Sequence, residues 1–581
     1  MIKIKQRQPG GQLDWPATLH PLLKRVYSNR NLHSVEEIDL SLKKLLSPDK
    51  LLGISAAVSL LQQAIQQHQH ILIVGDFDAD GATSTALAIR VLKALGAKPD
   101  KVDYLVPNRF EYGYGLTPGL VEHAITLKPD LIMTVDNGIS SIEGVALARK
   151  HGIKVLVTDH HLPGACLPEA DAIVNPNQHD DPFPSKSLAG VGVVFYLLSA
   201  LRKKLRDSGW FTQQAIQQPN MADYLDIVAL GTVADVVPLD RNNRILVNEG
   251  IRRIRAGRCI NGITALLQVA GRNPARLIAS DLGFSVGPRL NAAGRLDDMS
   301  IGIECLLADG DEAFQIAAEL DQLNRQRRSI ESGMQQEALM HLEAIELADA
   351  DVYGLALYDQ RWHQGVIGIL ASRIKEKMHR PVIIFAPGDD GEIKGSARSI
   401  EGIHIRDVLE SLSSLNPGLI KKFGGHAMAA GLTIAEEDFA RFQHLFDKQV
   451  ENVSSSEILE AVVFTDGQLS ADSFDLQTAA LLEEAGPWGQ AFPEPVFSGE
   501  FRVVSQRVLK DKHRKLSLQP VEDNDKTVVS SVFDGIAFNQ LQGDETFEEV
   551  LLPEKVQLVY KLSVNEYLGQ QKLQLMIEHI L

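Results

Sequence analysis

The chain has 581 residues, which is too long for one hydrophobic core and predicts two to four domains. Hydrophobic residues make up 44% and charged residues 23%, a balance that is typical of globular proteins and argues against disorder. The 75 acidic residues outnumber the 58 basic ones, giving a formal net charge of −17. This charge disfavours a protein that coats duplex DNA through bulk positive potential, although a local basic groove remains compatible with it.

Cysteine usage and hydropathy predict the compartment. Cys166, Cys259 and Cys305 are far apart and show no CxxC spacing, which argues against a disulfide framework or a zinc site. The N-terminus lacks the apolar run of a signal peptide, and no stretch approaches the roughly 20 apolar residues of a membrane span. We therefore expect a cytoplasmic protein that does not contact membranes.

The first half of the chain alternates short apolar runs with helical patterns, which is typical of a parallel α/β sheet. Between the first two predicted strands, the apolar residues of Ala82–Leu95 predict a helix that stops at Gly96. The predicted strands are Ile71–Gly75, Val102–Val106, Leu131–Val135, Lys154–Thr158 and Ala172–Val174.

A proline-free stretch from Asp311 to about Ala348 predicts one long helix. The polar segment Asn324–Ser329 within it favours a partly exposed helix between domains over an ordinary core helix. A second α/β unit is predicted from the strand Val352–Leu357, the helix Val366–Lys377 and the strand Val382–Phe385.

The last part of the chain reads as β structure. The composition becomes polar near Ser454–Glu457, which suits a linker. Short alternating runs then predict a small β-barrel, with the OB-fold among the possibilities. These runs are Gly499–Val504, Val508–Lys510, Lys515–Gln519 and Lys555–Leu562. The predicted domains are therefore residues 1–310 with the parallel sheet, a connecting helix over 311–348, a smaller α/β domain over 349–455 and the barrel over 456–581.

Acidic or imidazole side chains follow three of the predicted strands directly. In an open parallel sheet the carboxyl ends of the strands meet at one edge, where ligands bind. So many carboxylates in one place would repel each other unless a cation neutralised them. Aspartate and histidine are ligands that suit Mn²⁺ or Mg²⁺, and two such ions can hold both the attacking and the leaving oxygen of a phosphoryl transfer. The side chains are Asp76, Asp78, Asp80, Asp136, Asp159, His160 and His161.

The alternative is that these aspartates are helix caps or turn residues, which a single instance would favour. Three coincident strand ends, one of which carries His160 and His161, favour a metal site instead. A further apolar segment presents Asp235 shortly before Pro238. This aspartate is either structural or another ligand, and the other strand ends favour a ligand.

These segments resemble the DHH phosphoesterase superfamily, and their order along the chain resembles its RecJ family of bacterial exonucleases. Each segment is weak evidence alone, whereas the ordered set is specific, and the β-rich tail in turn resembles the OB-fold of that family. The matching segments are DFDADGATS at 76–84, VDNG at 135–138, TDHH at 158–161, GTVADVVPL at 231–239, GPRLNAAGR at 287–295, SARS at 396–399 and FGGHAMAAG at 423–431.

The resemblance implies two metal sites. Asp78 and Asp136 would hold one ion, and Asp136 would bridge to a second ion held by Asp80, His160 and Asp235. Many members have a histidine four residues before Asp78, where this chain has Val74, so the first ion would be held more weakly or through Asp76.

Two further residues complete the implied catalytic set. His161 would contact the scissile phosphate, and Asp159 would orient the neighbouring histidines.

The resemblance also implies a DHHA1 domain and a phosphate-binding set. Glycine lets backbone N–H groups approach a phosphate, and arginine can bind it through two hydrogen bonds. Taken alone, these glycines would be tight turns and the arginines surface residues. The predicted phosphate ligands are Arg289, Ser396, Arg398, Gly424, Gly425 and His426.

A basic run in the tail, Lys510, Lys512, Arg514 and Lys515, is a candidate for tracking a DNA backbone. A solvated turn explains it equally well.

The function implied by the resemblance is a metal-dependent 5′→3′ exonuclease that hydrolyses single-stranded DNA to mononucleotides. Recombination, mismatch repair and replication-fork processing are the implied pathways, with single-strand binding protein and a helicase as partners. The chain shows no coiled-coil seam, so we expect a monomer.

Two other functions are compatible with parts of this sequence. A DHH enzyme for short oligonucleotides, cyclic dinucleotides or pyrophosphate is disfavoured by the tail after about Leu459. A non-catalytic binding protein, such as the eukaryotic replication-helicase subunit of this ancestry, is disfavoured by the complete set of predicted metal ligands.

Overall fold

The computed structural model describes residues 2–10, 15–108, 112–346, 352–510, 512–521, 531–540, 551–567 and 569–581. The chain divides into two compact units. The larger unit comprises Gln6–Asp321 and Phe464–Leu581, and the smaller comprises Met1–Lys5 and Gln322–Val463. The predicted fold class is confirmed, because a parallel sheet, a second α/β sheet, a long helix and a closed β-barrel are all present. The predicted domain limits stay predictions.

The strands are numbered in chain order. They are β1 Lys3–Gln6, β2 Ile71–Val74, β3 Val102–Leu105, β4 Leu131–Val135, β5 Lys154–Thr158, β6 Ala172–Val174, β7 Leu355–Tyr358, β8 Val382–Pro387, β9 Glu392–Arg398, β10 Lys422–Gly425, β11 Ala429–Ala435, β12 Val462–Thr465, β13 Phe497–Leu509, β14 His513–Pro520, β15 Phe533–Ala537, β16 Lys555–Tyr567 and β17 Gln570–Ile580.

The helices are numbered in the same way. They are α1 Pro21–Ser28, α2 Ile54–Gln66, α3 Ala79–Ala94, α4 Pro118–Thr126, α5 Ile142–Lys150, α6 Gly190–Asp207, α7 Trp210–Gln213, α8 Leu225–Ala234, α9 Arg241–Arg255, α10 Asn261–Val269, α11 Ala279–Asp281, α12 Gly287–Leu296, α13 Ser300–Leu307, α14 Gly310–Glu346, α15 Ile367–Met378, α16 Ile405–Leu415, α17 Phe439–Val453, α18 Ser456–Leu459 and α19 Leu476–Glu484. Among the helices described, none is both long and apolar enough to cross a membrane.

The larger unit contains a five-stranded sheet in the order β3-β2-β4-β5-β6, with every pair parallel. All residues of β2 and β4 are buried, as expected for a parallel sheet that is covered on both faces. Val74 lies opposite Thr134, and Val135 lies opposite Thr158. The residues that follow β2, β4 and β5 are therefore neighbours at one edge.

Helix α3 starts three residues earlier than the sequence pattern predicts, at Ala79 instead of Ala82. The carboxylate of Asp78 caps it by accepting hydrogen bonds from the backbone N–H groups of Asp80 (2.9 Å) and Gly81 (3.0 Å). Asp80 consequently lies in the first turn of a helix and not in a loop.

The C-terminal part of the larger unit is a closed barrel in the order β13-β14-β15-β17-β16. The separate strand predicted at Val508–Lys510 is wrong, because these residues continue β13 up to Leu509. Strands β15 and β17 were not predicted at all. Fully buried aromatic side chains, including Phe497, Phe501 and Tyr560, fill the interior.

The smaller unit contains a mixed sheet in the order β10-β11-β9-β8-β7, in which only β7 and β8 pair in parallel. Strand β7 begins at Leu355, three residues later than predicted. The predicted helix is α15, displaced by one residue. The long helix is α14, and positions 347–348 of its prediction lie outside the described residues.

Candidate metal centre

The turn between β2 and α3 brings three aspartates together. Asp76 is 5% exposed, Asp78 caps α3 and Asp80 is 1% exposed. A Cβ at Gly81 would lie 2.4 Å from the carbonyl oxygen of Asp76, so this turn can close only around a glycine. The side chain of Asp80 is fixed by the backbone N–H groups of Gly190 (2.6 Å) and Val191 (3.0 Å) at the start of α6.

Asp136 follows β4 in a left-handed backbone conformation with φ of 62°. Such a conformation is strained for a residue with a side chain and persists only where the surroundings hold it. The side-chain amide of Asn137 does so by donating to the carbonyl oxygens of Val74 (3.1 Å) and Val135 (2.9 Å). Gly190 leaves the space for the Asp136 carboxylate, because a Cβ there would lie 2.7 Å from its Oδ1.

The segment after β5 carries Asp159, His160 and His161. Asp159 is fully buried, and its carboxylate accepts hydrogen bonds from His161 Nδ1 (2.7 Å) and from the backbone N–H of Ile139 (2.9 Å). Burial alone would raise the pKa of Asp159, but the hydrogen bond and charge of His161 outweigh it and lower that pKa. Burial likewise opposes the charged form of His161, yet Asp159 raises the pKa of His161 to about 9. This geometry supports the predicted orienting role of Asp159.

Asp235 lies at the C-terminal end of α8, whose residues from Leu225 to Thr232 are all buried. Gly231 lets α8 approach α3 closely, because a Cβ there would lie 2.9 Å from Asp80 Oδ1. His160 is central to the resulting cluster. Its Nε2 lies 3.1 Å from Asp136 Oδ1, 3.5 Å from Asp235 Oδ2 and 4.0 Å from Asp80 Oδ2.

The predicted site residues form three groups. Within each group, the donor atoms all lie within 4.8 Å of one another. Asp136 belongs to two of these groups, which suits the bridging position predicted for it. The groups are Asp76 with Asp78 and Asp136, Asp80 with His160 and Asp235, and Asp136 with His160 and His161. Asp76 is thus placed to supply the oxygen that Val74 cannot.

The electrostatics of the cluster fit a divalent cation. Burial, followed by the charge of Asp235, raises the pKa of Asp80 to about 7. Burial and then the charge of Asp78 raise the pKa of Asp235 to about 7, and burial and neighbouring aspartates raise that of Asp136 well above its ordinary value. Asp136 Oδ1 and Asp235 Oδ2 are enclosed without a hydrogen-bond partner in the described part of the chain. Oxygen ligands with one imidazole are the set that Mn²⁺ or Mg²⁺ accepts.

Three residues at the site were missed from the sequence. The hydroxyl of Tyr114 lies 3.0 Å from His161 Nδ1, and Asn291 accepts a hydrogen bond from the backbone N–H of Ala79 (2.8 Å). Gly190 is the third. Asn291 belongs to the GPRLNAAGR segment, so its motif was a usable signal. For Tyr114 the only signal in the sequence was its position between two glycines. Gly190 had no local signal, because its role depends on a contact with the distant end of a strand.

The predicted phosphate ligands of the smaller unit share one sheet. Ser396 on β9 lies opposite Gly431 on β11, which lies opposite Gly424 on β10. Arg398 donates a hydrogen bond from Nη1 to Ser396 Oγ (3.1 Å). A Cβ at Gly424 would meet no atom within 4 Å, so this strand leaves open space beside its backbone.

The last two phosphate ligands of this sheet lie where β10 turns into β11. Gly425 has φ of 149° and faces Ala430, while the backbone N–H of His426 donates to Ala429 (2.8 Å).

Arg289 is the predicted phosphate ligand that lies outside this sheet. It lies in the larger unit, is 8% exposed and donates to the carboxylate of Asp321 from Nε (3.0 Å) and Nη2 (2.8 Å). A nearly buried guanidinium needs such a partner. This pairing argues against a direct contact between Arg289 and a substrate phosphate.

The basic run of the barrel is only partly on the surface. Lys510 and Lys512 are exposed near the turn between β13 and β14, whereas Lys515 pairs with Asp534 (3.0 Å). Arg514 is 3% exposed and donates to Gln506 Oε1 (2.9 Å). Alternation along β14 turns Arg514 away from solvent, which corrects its prediction as a DNA contact.

A cluster of carboxylates and histidines at the carboxyl ends of a parallel sheet defines the class of metal-dependent phosphoesterases. Three family models match this chain in order along it. The DHH family, N-terminal domain, matches residues 70–232, the DHHA1 domain matches residues 351–452, and the RecJ OB domain matches residues 465–579.

Relatives of known name cover the whole chain. The chain is 53% identical to the single-stranded-DNA-specific exonuclease RecJ of Dickeya dadantii, over 99% of this chain and 98% of the relative. The identity to the Escherichia coli protein of the same name is also 53%, over 100% and 99%. The crystal structure of Thermus thermophilus RecJ with Mn²⁺ matches with a TM-score of 0.77 and 30% identity, over 96% of this chain and 76% of that one. The chain therefore belongs to the RecJ family.

Proposed function

We propose that this protein is a metal-dependent exonuclease that hydrolyses single-stranded DNA to mononucleotides in the 5′→3′ direction. The observation that carries the proposal is the cluster around His160. The predicted ligands of two divalent ions lie there in groups whose donor atoms are close enough together to bind an ion. Relatives that are 53% identical over their whole length are named single-stranded-DNA-specific exonucleases. Crystal structures of similar chains hold Mn²⁺ or Mg²⁺.

The residues of the cluster have distinct parts in this proposal. Two divalent ions, when bound, stabilise the charge that develops on the attacking and leaving oxygens of the phosphodiester. Asp76, Asp78 and Asp136 would hold one ion, and Asp136 would also contribute to a second one. The remaining ligands of the second ion would be Asp80, His160 and Asp235.

His161 is the proposed contact to the scissile phosphate. The ring donates a hydrogen bond from Nδ1 to the carboxylate of Asp159, and this partner raises the pKa of His161 and favours the protonated imidazole. A cationic donor suits a phosphodiester oxygen, whose negative charge grows during the reaction. Tyr114 contacts the same ring and restricts its orientation.

The phosphate set of the smaller unit supports the proposed polarity. Arg398 is hydrogen-bonded to Ser396, and Gly424 lies in register with Ser396 two strands away, where its backbone is open; together they offer donors for a terminal 5′-phosphate. A site that binds a terminal phosphate fixes which end of the strand is degraded. Lys510 and Lys512 are the proposed contacts of the barrel to the rest of the strand.

The cellular role is proposed from the family alone. It comprises recombination, mismatch repair and replication-fork processing, with single-strand binding protein and a helicase as partners. A monomeric, cytoplasmic enzyme stays a prediction.

End-labelled oligonucleotides test this function. The strand carries a label at its 5′ or its 3′ end, and the products formed with Mn²⁺ are sized over time. We expect labelled mononucleotide to appear at once from the 5′ label, and late from the 3′ label. Internal fragments that appear first would contradict an exonuclease, and early release of the 3′ label would contradict the polarity.

A further inference from the structure

A surface pocket of about 410 Å³ lies in the larger unit, between α9, the end of α19 and the segment that precedes α2. Its lining includes Tyr27, Leu40, Ser41, Arg244, Arg252 and Glu484. These residues are distinct from the metal cluster and from the phosphate and DNA contacts proposed above.

Arg244 is the unusual residue of this pocket. It is only 4% exposed, yet its guanidinium forms no hydrogen bond or ion pair with any residue in the described ranges. Its guanidinium carbon lies 4.3 Å from the ring centroid of Phe492. A planar guanidinium stacks through its face; Nε is enclosed, so the N–H groups of Nη1 and Nη2 are the donors that a ligand can use.

Nearby carboxylates do not neutralise Arg244. Asp240 accepts hydrogen bonds from the backbone N–H of Asn243 (2.9 Å) and the hydroxyl of Ser185 (2.6 Å). Glu37 accepts one from the backbone N–H of His33 (2.9 Å). Burial lowers the pKa of Arg244 more than these two carboxylates raise it. The cation is therefore undercompensated within the folded chain.

The charge around the pocket favours an anion. Arg241 lies outside the pocket lining but adds positive charge near Arg244, and its enclosed Nε and Nη2 atoms lack a hydrogen-bond partner among the residues described. Arg252 is already paired with Glu249 (3.0 Å), and the exposed Glu484 is the carboxylate on the pocket wall. Arginine donors in a fork suit the oxygens of a phosphate.

A second pocket, of about 370 Å³, shares Asn248, Glu484 and Gly486 with the first. Its wall also includes Val233 and Val236, which flank Asp235 in the chain. Phe284 on the same wall is 79% exposed, and exposed aromatic rings offer stacking surfaces to nucleobases. The two pockets are therefore adjacent, and the second one is lined by residues that lie next to Asp235 in the chain.

We infer that Arg244 is the centre of an anion-binding site for a phosphate group, supplied by the backbone of a bound single strand or by a free nucleotide. The residues shared by the two pockets, and the position of Val236 directly after Asp235, favour the backbone. That choice of source rests on the proposed function, whereas the anion site itself does not.

Two measurements on the full chain test the site. The first is thermal unfolding in EDTA with inorganic phosphate, against chloride at equal ionic strength. A free anion that binds at Arg244 raises the unfolding midpoint with phosphate concentration, and Arg244→Gln reduces that increase to the part contributed by the phosphate set of the smaller unit. Arg206→Gln is the matched control, because Arg206 is exposed and paired with Asp207 outside the pocket.

The second measurement is the salt dependence of binding to a single-stranded oligonucleotide, with Asp136→Ala present in every sample to prevent cleavage. Loss of one phosphate contact lowers the slope of log affinity against log salt by about 0.7. We expect this change in Arg244→Gln and not in Arg206→Gln. If Arg244→Gln changes only the salt slope, the phosphate group comes from the strand backbone. If it changes only the response of the unfolding midpoint to phosphate, the ligand is a free nucleotide or phosphate.

Substitutions on the pocket wall keep the test valid if Arg244→Gln does not fold. Ser41→Glu places a competing carboxylate in the pocket, whereas Ser41→Gln has nearly the same shape without the charge. We expect Ser41→Glu to lose the rise of the unfolding midpoint with phosphate, and Glu484→Gln to make that rise larger. The inference is overturned if Arg244→Gln matches Arg206→Gln, or Ser41→Glu matches Ser41→Gln, in both measurements. Loss of nuclease activity would leave the phosphate measurement unaffected.

Discussion

Adding a single methyl group at Gly190 should lower the activity of the protein without preventing it from folding. A Cβ at this position would lie 2.6 Å from Asp136 Cβ, 2.8 Å from its Cγ and 2.7 Å from its Oδ1. Carbon atoms in contact prefer about 3.5–4.0 Å, so the carboxylate must move by about 1 Å. Gly190 is the first residue of α6, and its backbone is not left-handed, so alanine suits the helix.

The expected effect of Gly190→Ala follows from that displacement. A shift of about 1 Å in a catalytic group costs roughly 10²-fold in rate. The backbone N–H of Gly190 also holds Asp80, so both proposed ions are disturbed. The assay is the single-turnover hydrolysis of a single-stranded oligonucleotide over a range of Mn²⁺ concentrations, with thermal unfolding alongside.

Gly192→Ala is the matched control on the same helix. There a Cβ would lie 3.1 Å from a methyl group of Leu188, which can rotate away, so we expect nearly wild-type activity. If Gly190→Ala folds and hydrolyses the strand as fast as Gly192→Ala, the assignment of Asp136 to the metal centre is wrong.

Three further predictions concern the metal-free protein, the phosphate set and the barrel. Because the pKa values of Asp80 and Asp235 are raised to about 7, both groups stabilise the fold fully below about pH 4. In EDTA the unfolding midpoint should therefore fall as the pH rises from about 4 to about 7, and an unchanged midpoint would contradict the crowding of these carboxylates. Arg398→Lys should reduce the preference for 5′-phosphorylated over 5′-hydroxyl strands, while the exposed Arg373→Lys should not; equal preferences in competition assays would refute the phosphate contact. Lys510→Gln combined with Lys512→Gln should lower the salt slope of strand binding by about 1.4, whereas Lys572→Gln on β17 should leave it unchanged. If the double variant and the control have the same salt slope, Lys510 and Lys512 do not contact the strand.

Much of the site was predictable because its signal is local in sequence. Apolar runs end directly at Asp76, Asp136 and Asp159, and parallel strands must bring such ends to one edge. Asp235 could be favoured as a ligand only because of the other strand ends, since its own helix is apolar on all sides and shows no periodicity. The start of α3 was missed because an aspartate that caps a helix and one that binds a metal look the same in sequence.

The remaining differences come from contacts between distant parts of the chain. Arg289 pairs with Asp321, and Arg514 is buried on β14, neither of which follows from the neighbouring residues. The strands β15 and β17 are parallel neighbours in the barrel. Their register depends on the closing of the barrel more than on the sequence pattern of either strand. The undercompensated Arg244 is likewise visible only from its surroundings in space.

The most direct test of the central claim is hydrolysis of a 5′-phosphorylated single strand beside its duplex, with Mn²⁺ or Mg²⁺. Asp136→Ala and a sample with EDTA serve as controls. We predict mononucleotide release from the single strand only, and its loss in both controls. An intact single strand in the wild-type sample would contradict the exonuclease, and equal activity of Asp136→Ala would contradict the metal centre.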